Sequence, residues 1–398
     1  MISRGVATLA AGLLLATASA TPALAQHRAP GLVPDPASVE GGLWGLMQRT
    51  EEDAKHSADL NTDPALNDYV RGVVCRIASE YCGEIRVYIM DRPLLNASMA
   101  PNGYIEVWSG LLLRAENEAQ LAFVLGHELG HFLENHSLEQ WNTQKTWATA
   151  ALVITVGAGV AGAYYNVNLS GIGDIAYLAA ISSVMSYSRG QESQADAIGF
   201  ERMVAAGLEP TAAAGIWRQQ QEETRASSFR SVRQSEAMGS IFRSHPLTAE
   251  RVAALDALAR GRPGGLEERE RYRAAIRPHL AAWLADDLSR RDFNASLALT
   301  ERLERDGMDL GVLEFHRGQI HRQRREDGDL ELARDAYLTS TQYEDAPVGA
   351  WRELGDLQAR LGDPGAARLA WRTYLDRATT ADDRWIVEDS LTGLEAKP

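Results

Sequence analysis

Two histidines one helical turn apart, with a carboxylate beside the first, are the residues of this chain best suited to chemistry. They stand in the run His127-Glu128-Leu129-Gly130-His131. Residues i and i+4 share a helix face, so both imidazoles can reach one tetrahedral metal ion while Glu128 points toward a water to be activated. This is the spacing of a zinc hydrolase, with Glu128 as general base. The apolar residues Leu121, Phe123, Val124, Leu125, Leu129, Phe132 and Leu133 continue around a predicted, mostly buried helix. It starts in Glu116-Asn117-Glu118, where acidic side chains suit the positive end of the helix dipole.

A catalytic zinc takes three protein ligands and keeps its fourth position open. Glu192 is the expected third ligand, within Ser188-Arg189-Gly190-Gln191-Glu192-Ser193-Gln194-Ala195-Asp196, which reads as the start of a second helix. Glu192 and Asp196 are again i and i+4. The face that supplies a ligand can therefore supply a carboxylate that fixes the tautomer of a ligand histidine, expected to be His127. Standing alone, the same pair would read as a solvated acidic turn. A third cluster is Ser244-His245-Pro246, with Arg251 on a helix begun at Thr248. A histidine before proline is held extended, so His245 can point into a cleft. There it would either donate to the oxyanion of a tetrahedral intermediate or occupy the open metal position; the bland reading is an ordinary loop histidine.

With these pieces in this order, the chain resembles the zinc metallopeptidase family that includes the CAAX prenyl protease and the HtpX heat-shock protease. The matching elements are the 127–131 motif, the Glu192 to Asp196 element, Ser244-His245-Pro246 with Arg251, and the segment from Asn96 to Val107. The last is similar to the family's edge-strand segment before the metal helix. The resemblance implies one Zn2+ per chain held by His127, His131 and Glu192, Glu128 as base, and Asp196 with Arg251 behind the ligands. In layout the chain is most similar to the family's periplasmic branch with C-terminal repeats. Zinc would lower the pKa of its water toward ~7 and polarise the scissile carbonyl, with no covalent acyl intermediate. Residues Gly103 to Trp108 alternate as a strand should. Gly103, Tyr104, Ile105, Glu106 and Val107 are expected to hold an extended substrate by main-chain hydrogen bonds at an unpaired edge.

Arg4, an apolar run from Val6 to Ala18, and Ala23-Leu24-Ala25 before Gln26 have the three regions of a secretory signal cleaved after Ala25. Export places Cys75 and Cys82 in an oxidising compartment, where a short-loop disulfide between them is expected. The chain is 45% hydrophobic and 24% charged, with formal net charge -14, and loss of Arg4 makes it one unit more negative. Such a charge argues against nucleic acid or anionic lipid as a main partner.

Gly261-Arg262-Pro263-Gly264-Gly265 is the best boundary. Beyond it Gly328-Asp329 with Ala333-Arg334-Asp335-Ala336-Tyr337 recurs as Gly362-Asp363 with Ala367-Arg368-Leu369-Ala370-Trp371, 34 residues later. That interval is the tetratricopeptide period, whose stacked helix pairs form a surface for peptides or partner proteins. Residues 146–187 hold two nearly apolar stretches, Trp147 to Ala163 and Ile172 to Met185, poor in Leu and interrupted by Asp174. They are read as a helical hairpin packed over the active site, with peripheral membrane contact as the alternative.

The predicted organisation is a signal peptide (1–25), a linker (26–40), an α+β zincin-like catalytic domain of the gluzincin type (41–260), mainly helical with a small sheet, a linker (261–265), and an all-α tetratricopeptide-like domain (266–398). The expected function is a periplasmic zinc endopeptidase acting on unfolded or misassembled proteins, outer-membrane proteins among them, and self-restrained through His245. The rival is a chaperone-like binding factor with a closed or structural metal site.

Overall fold

The computed structural model describes residues 27–143, 187–234, 245 and 249–395. The expected signal peptide and nearly all of the expected hairpin lie outside these residues. Among the described residues, no helix is long and apolar enough to cross a membrane.

Two helices lead in, α1 (Val39–Lys55) and α2 (Pro64–Ile77). Asp63 starts α2 by accepting from the amides of Ala65 and Leu66, and Pro64 occupies a position where no amide is needed. A short turn and the Cys75–Cys82 disulfide, with Cα atoms 4.8 Å apart, join α2 to the sheet. Strand β1 (Arg86–Met90), strand β2 (Ala97–Met99) and strand β3 (Tyr104–Trp108) follow. Their order is β1-β3-β2, with β3 parallel to β1 and antiparallel to β2.

This order corrects the expected substrate strand. Gly103 to Val107 is not an unpaired edge: Ile105 lies opposite Val87 on one side and Met99 on the other. The alternation read in the sequence is real, but it arises because β3 is the central strand with both edges satisfied. The outer strands are β1, met near its end by Leu60 and Asn61, and β2. Ser98 lies opposite Glu106, and Asn96 and Ala100 bond to the β3 chain, so Ala97 and Met99 turn their backbone groups outward.

Helix α3 (Ser109–Arg114) turns the chain into α4 (Glu118–Leu133), which carries the histidine motif and is buried along its whole length. Asn117 caps α4 by accepting from the Gln120 amide. Then come α5 (His136–Thr143), α6 (Arg189–Ala205), α7 (Ala212–Ala226), the short α8 (Arg230–Gln234) and α9 (Ala249–Ala259). Ser188 and Gln191 form a reciprocal capping box at the start of α6. The residues read as an N-terminal linker are docked at Arg28, which is 2% exposed. Its guanidinium lies over the rings of Trp44 and Phe132, and its amide donates to the Leu133 carbonyl at the end of α4.

Seven helices complete the chain, α10 (Arg269–Ser289), α11 (Phe293–Glu304), α12 (Leu310–Arg324), α13 (Asp329–Ser340), α14 (Gly349–Arg360), α15 (Pro364–Arg377) and α16 (Arg384–Glu395). The main hydrophobic core runs through the 261–265 segment without a break. It joins Leu66, Phe123 and Phe200 to Tyr272, Trp283, Leu299 and Leu313. Residues of α14, α15 and α16 form a second cluster around Trp351, Trp371 and Val387. The two units of the sequence repeat pack alike: a Cβ on Gly318 would meet the Tyr337 ring at 2.4 Å, and one on Gly355 the Trp371 ring at 2.5 Å.

Candidate metal centre

The site is built by close contact of α4 with α6. A Cβ on Gly130 would lie 2.8 Å from Cα of Ala195, and one on Gly199 would lie 2.6 Å from the backbone nitrogen of His127. Only small residues allow the two backbones to approach this far. The approach sets Glu192 opposite the histidine pair, with His127 Nε2 and His131 Nε2 each 3.5 Å from a Glu192 oxygen.

His127, His131, Glu192 and His245 form one group whose ligand atoms all lie within 4.8 Å of one another, and none of the four is more than 2% exposed. The Nε2 atoms of His127 and His131 are 3.1 Å apart. Two ring nitrogens bound to one tetrahedral zinc would lie about 3.3 Å apart. The outward nitrogens are already engaged: Nδ1 of His127 lies 2.9 Å from Asp196 Oδ1, and Nδ1 of His131 lies 2.9 Å from His136 Nδ1. Both Nε2 lone pairs can therefore face the same point. His245 Nδ1 is 3.2 Å from His127 Nε2 and 3.0 Å from Glu192 Oε1, so it stands in the position a fourth donor would take.

Charge in the cluster favours a cation. Burial opposes a proton on His127, yet the carboxylates of Asp196 and Glu192 hold its pKa up to about 9. Burial and the neighbouring imidazoles push His131 well down, leaving it neutral. Burial alone would raise Glu192, but His245 and His127 hold it well below the ordinary carboxylate range. The site thus demands positive charge beside an available ring nitrogen, which a divalent metal supplies. Arg251 backs the carboxylates. Its Nε and Nη2 donate to the two oxygens of Asp196 at 2.7 Å, and its Nη1 pairs with Glu192 Oε2 at 2.7 Å. The guanidinium also lies over the Trp217 ring.

Glu128 lies beside the donor group without joining it. Its Oε2 accepts from the Met99 amide at 3.2 Å, on the outward edge of β2. Its Oε1 has no hydrogen-bond partner among the described residues and lies 3.6 Å from His245 Nε2. Burial raises the pKa of this carboxylate, which makes it a stronger base once ionised.

The predicted residues His127, Glu128, His131, Glu192, Asp196, His245 and Arg251 thus converge, with Asp196 on His127 as expected. Ser244 and Pro246 lie outside the described residues. Sequence reasoning missed three participants: His136, the Met99 amide, and Tyr187, whose ring stacks on His131 at 3.8 Å between centroids. His136 stands only five residues beyond His131 and had a signal in that proximity. The other two approach through tertiary packing alone.

Two helix-borne histidines and a facing glutamate, with the carboxylate of Glu128 alongside, make a buried donor group that could hold a metal ion. Residues 61–259, half of the chain, match the model of peptidase family M48, and the chain belongs to that family. It is 34% identical over 169 residues to metalloprotease YcaL of Escherichia coli, covering 42% of this chain and 60% of that one. It is 27% identical over 228 residues to the beta-barrel assembly-enhancing protease of Yersinia pestis, covering 52% and 45%. To the mitochondrial metalloendopeptidase OMA1 of Arabidopsis thaliana it is 28% identical over 131 residues, covering 33% and 24%. The chain thus spans 45% to 60% of the length of the first two.

Proposed function

We propose that this chain is a zinc-dependent endopeptidase that hydrolyses peptide bonds of unfolded or misassembled proteins in the periplasm, as part of envelope protein quality control. The observation that carries the reading is Glu128: a buried carboxylate with one oxygen unbonded among the described residues, beside the four-residue donor group, which a purely structural metal site does not need. The names of the relatives, a metalloprotease, a metalloendopeptidase and a beta-barrel assembly-enhancing protease, support it. The disulfide supports an oxidising compartment, in agreement with a signal cleaved after Ala25.

In this reading His127, His131 and Glu192 hold zinc, which when bound polarises the scissile carbonyl and acidifies the attacking water. Glu128 takes the water's proton on Oε1 and passes it to the leaving amine. The Met99 amide keeps the other oxygen in place. The outward backbone groups of Ala97 and the carbonyl of Met99 hold the substrate backbone as an added strand, which gives weak sequence selectivity. The helix pairs beyond Leu310 are tetratricopeptide-like and offer a partner surface.

His245, seated among the donors, restrains the enzyme. His245→Ala should raise basal cleavage; unchanged or lost cleavage would count against restraint, and loss would indicate oxyanion support instead. The rival, a binding factor with a closed metal site, draws on the same His245 contact. Chelation separates the two. Cleavage of an unfolded, dye-quenched protein by the chain from Gln26 should stop on zinc removal and return with one equivalent of zinc, whereas a binding factor shows no cleavage in either state.

A further inference from the structure

We propose that His136 is the positioning residue for His131, and that Glu134 and Gln194 fix the direction of the hydrogen bond through which it acts. The inference rests on the reading that His131 holds the metal through Nε2.

His136 begins α5 and is 1% exposed. Its Nδ1 lies 2.9 Å from Nδ1 of His131, and its Nε2 lies 3.3 Å from Gln194 Oε1 on α6. Gln194 Nε2 in turn lies 2.5 Å from Glu134 Oε2. The direction of every bond follows from the carboxylate at the end. The Glu134 carboxylate accepts from the Gln194 NH2, so the Gln194 carbonyl is turned toward His136. A carbonyl also only accepts, so His136 carries its proton on Nε2 and keeps a lone pair on Nδ1. That lone pair accepts the Nδ1–H of His131.

The consequence reaches the metal centre. With its proton on Nδ1, His131 has its lone pair on Nε2, the atom 3.1 Å from His127 Nε2. Tyr187, stacked at 17° on the His131 ring, resists tipping, and His136 resists rotation in the ring plane. His127 receives the same service directly from a carboxylate, Asp196. For His131 the carboxylate is placed two groups away, at the end of a neutral relay. Replacement of such outer partners costs about 10- to 100-fold in metal affinity.

The test is zinc affinity of the chain from Gln26, measured by competition with a chromogenic chelator, with thermal unfolding of the metal-free proteins alongside. Asparagine carries an acceptor oxygen where histidine carries Nδ1, so His136→Asn should bind zinc within about threefold of wild type while His136→Leu loses on the order of 10- to 100-fold. Equal losses in both variants would reduce His136 to packing, and no loss in either would remove its role; each overturns the proposal. A second measurement does not depend on the folding of a variant. In the metal-free wild type with 15N-labelled histidine, scalar coupling across an Nδ1–H···Nδ1 bond should link His131 and His136, and its absence would overturn the relay. Full zinc affinity in His131→Ala would instead overturn the ligand reading beneath it, which distinguishes the two failures.

Discussion

Asp196 carries two tasks at the residue scale. It accepts from His127 Nδ1 and anchors the guanidinium of Arg251. Losing its charge should therefore loosen both the ligand histidine and the arginine behind Glu192. Asp196→Asn is expected to weaken zinc binding about 10- to 100-fold in chelator competition, and an unchanged affinity would show that His127 is held by packing alone. That His127 shares a helix face with His131, and Glu192 with Asp196, was legible in the sequence because i, i+4 spacing is a local property of helices. His245 was legible only as a candidate, since nothing local brings residue 245 to residue 127. The Met99 amide and Tyr187 had no local signal at all. A backbone donor has no residue type to read, and stacking between positions 131 and 187 is decided by the fold.

Helix approach decides the site at the element scale. Gly126, Gly130 and Gly199 let α4 and α6 meet backbone to backbone, and the added carbon of Gly199→Ala would fall 2.6 Å from the His127 nitrogen. Relief requires the helices to part. Gly199→Ala should destabilise the fold by roughly 1–3 kcal/mol and weaken zinc binding by drawing Glu192 away from the histidines; a variant that kept full stability and full affinity would contradict this packing. The sheet shows what alternation conceals. Central and edge strands both alternate, so the pattern at Tyr104–Trp108 could not say that β2 would take the outer place. In α12, His316 is buried, its Nε2 is unbonded among the described residues, and burial lowers it to about 4 from 6.5. Between those values the unfolded chain binds a proton that the folded chain refuses. Stability should therefore fall as pH drops from 6.5 to about 4 and level off below, by roughly 3 kcal/mol for this group. His316→Leu should reduce that acid loss in denaturant titrations at the two pH values, and an undiminished loss would assign it elsewhere.

The catalytic segment and the helices after it are one mechanical unit at the scale of the whole molecule. Arg114, at the end of α3, is 2% exposed and bonds at once to Glu223 of α7 and Asp287 of α10. Asp287 also takes Arg290 and Ser296, and Arg302 donates to the Arg114 carbonyl. Arg114→Met would leave two buried carboxylates short of a partner, so a loss on the order of 3–5 kcal/mol is expected in equilibrium unfolding. A loss below ~1 kcal/mol, the scale of an exposed pair, would show that the network is not needed to join the two parts. The Gly-Pro punctuation at 261–265 marked a real change in character but not a gap between cores, because composition records where the chain turns and not what it packs against. The 34-residue interval has a backbone counterpart. Gly328 and Gly362, one interval apart, have φ of +85° and +87°, left-handed values that glycine adopts without strain.

The central claim is that Glu128 performs base chemistry beside a zinc held by other residues. The direct measurement is cleavage of an unfolded, dye-quenched protein by wild type and Glu128→Gln, both from Gln26, with bound zinc quantified in each. One zinc in both proteins, with cleavage in Glu128→Gln reduced by about 10²- to 10⁴-fold, is the predicted result. Cleavage that persists in Glu128→Gln with zinc retained, or wild type that binds zinc and cleaves nothing even with His245→Ala, would contradict the account.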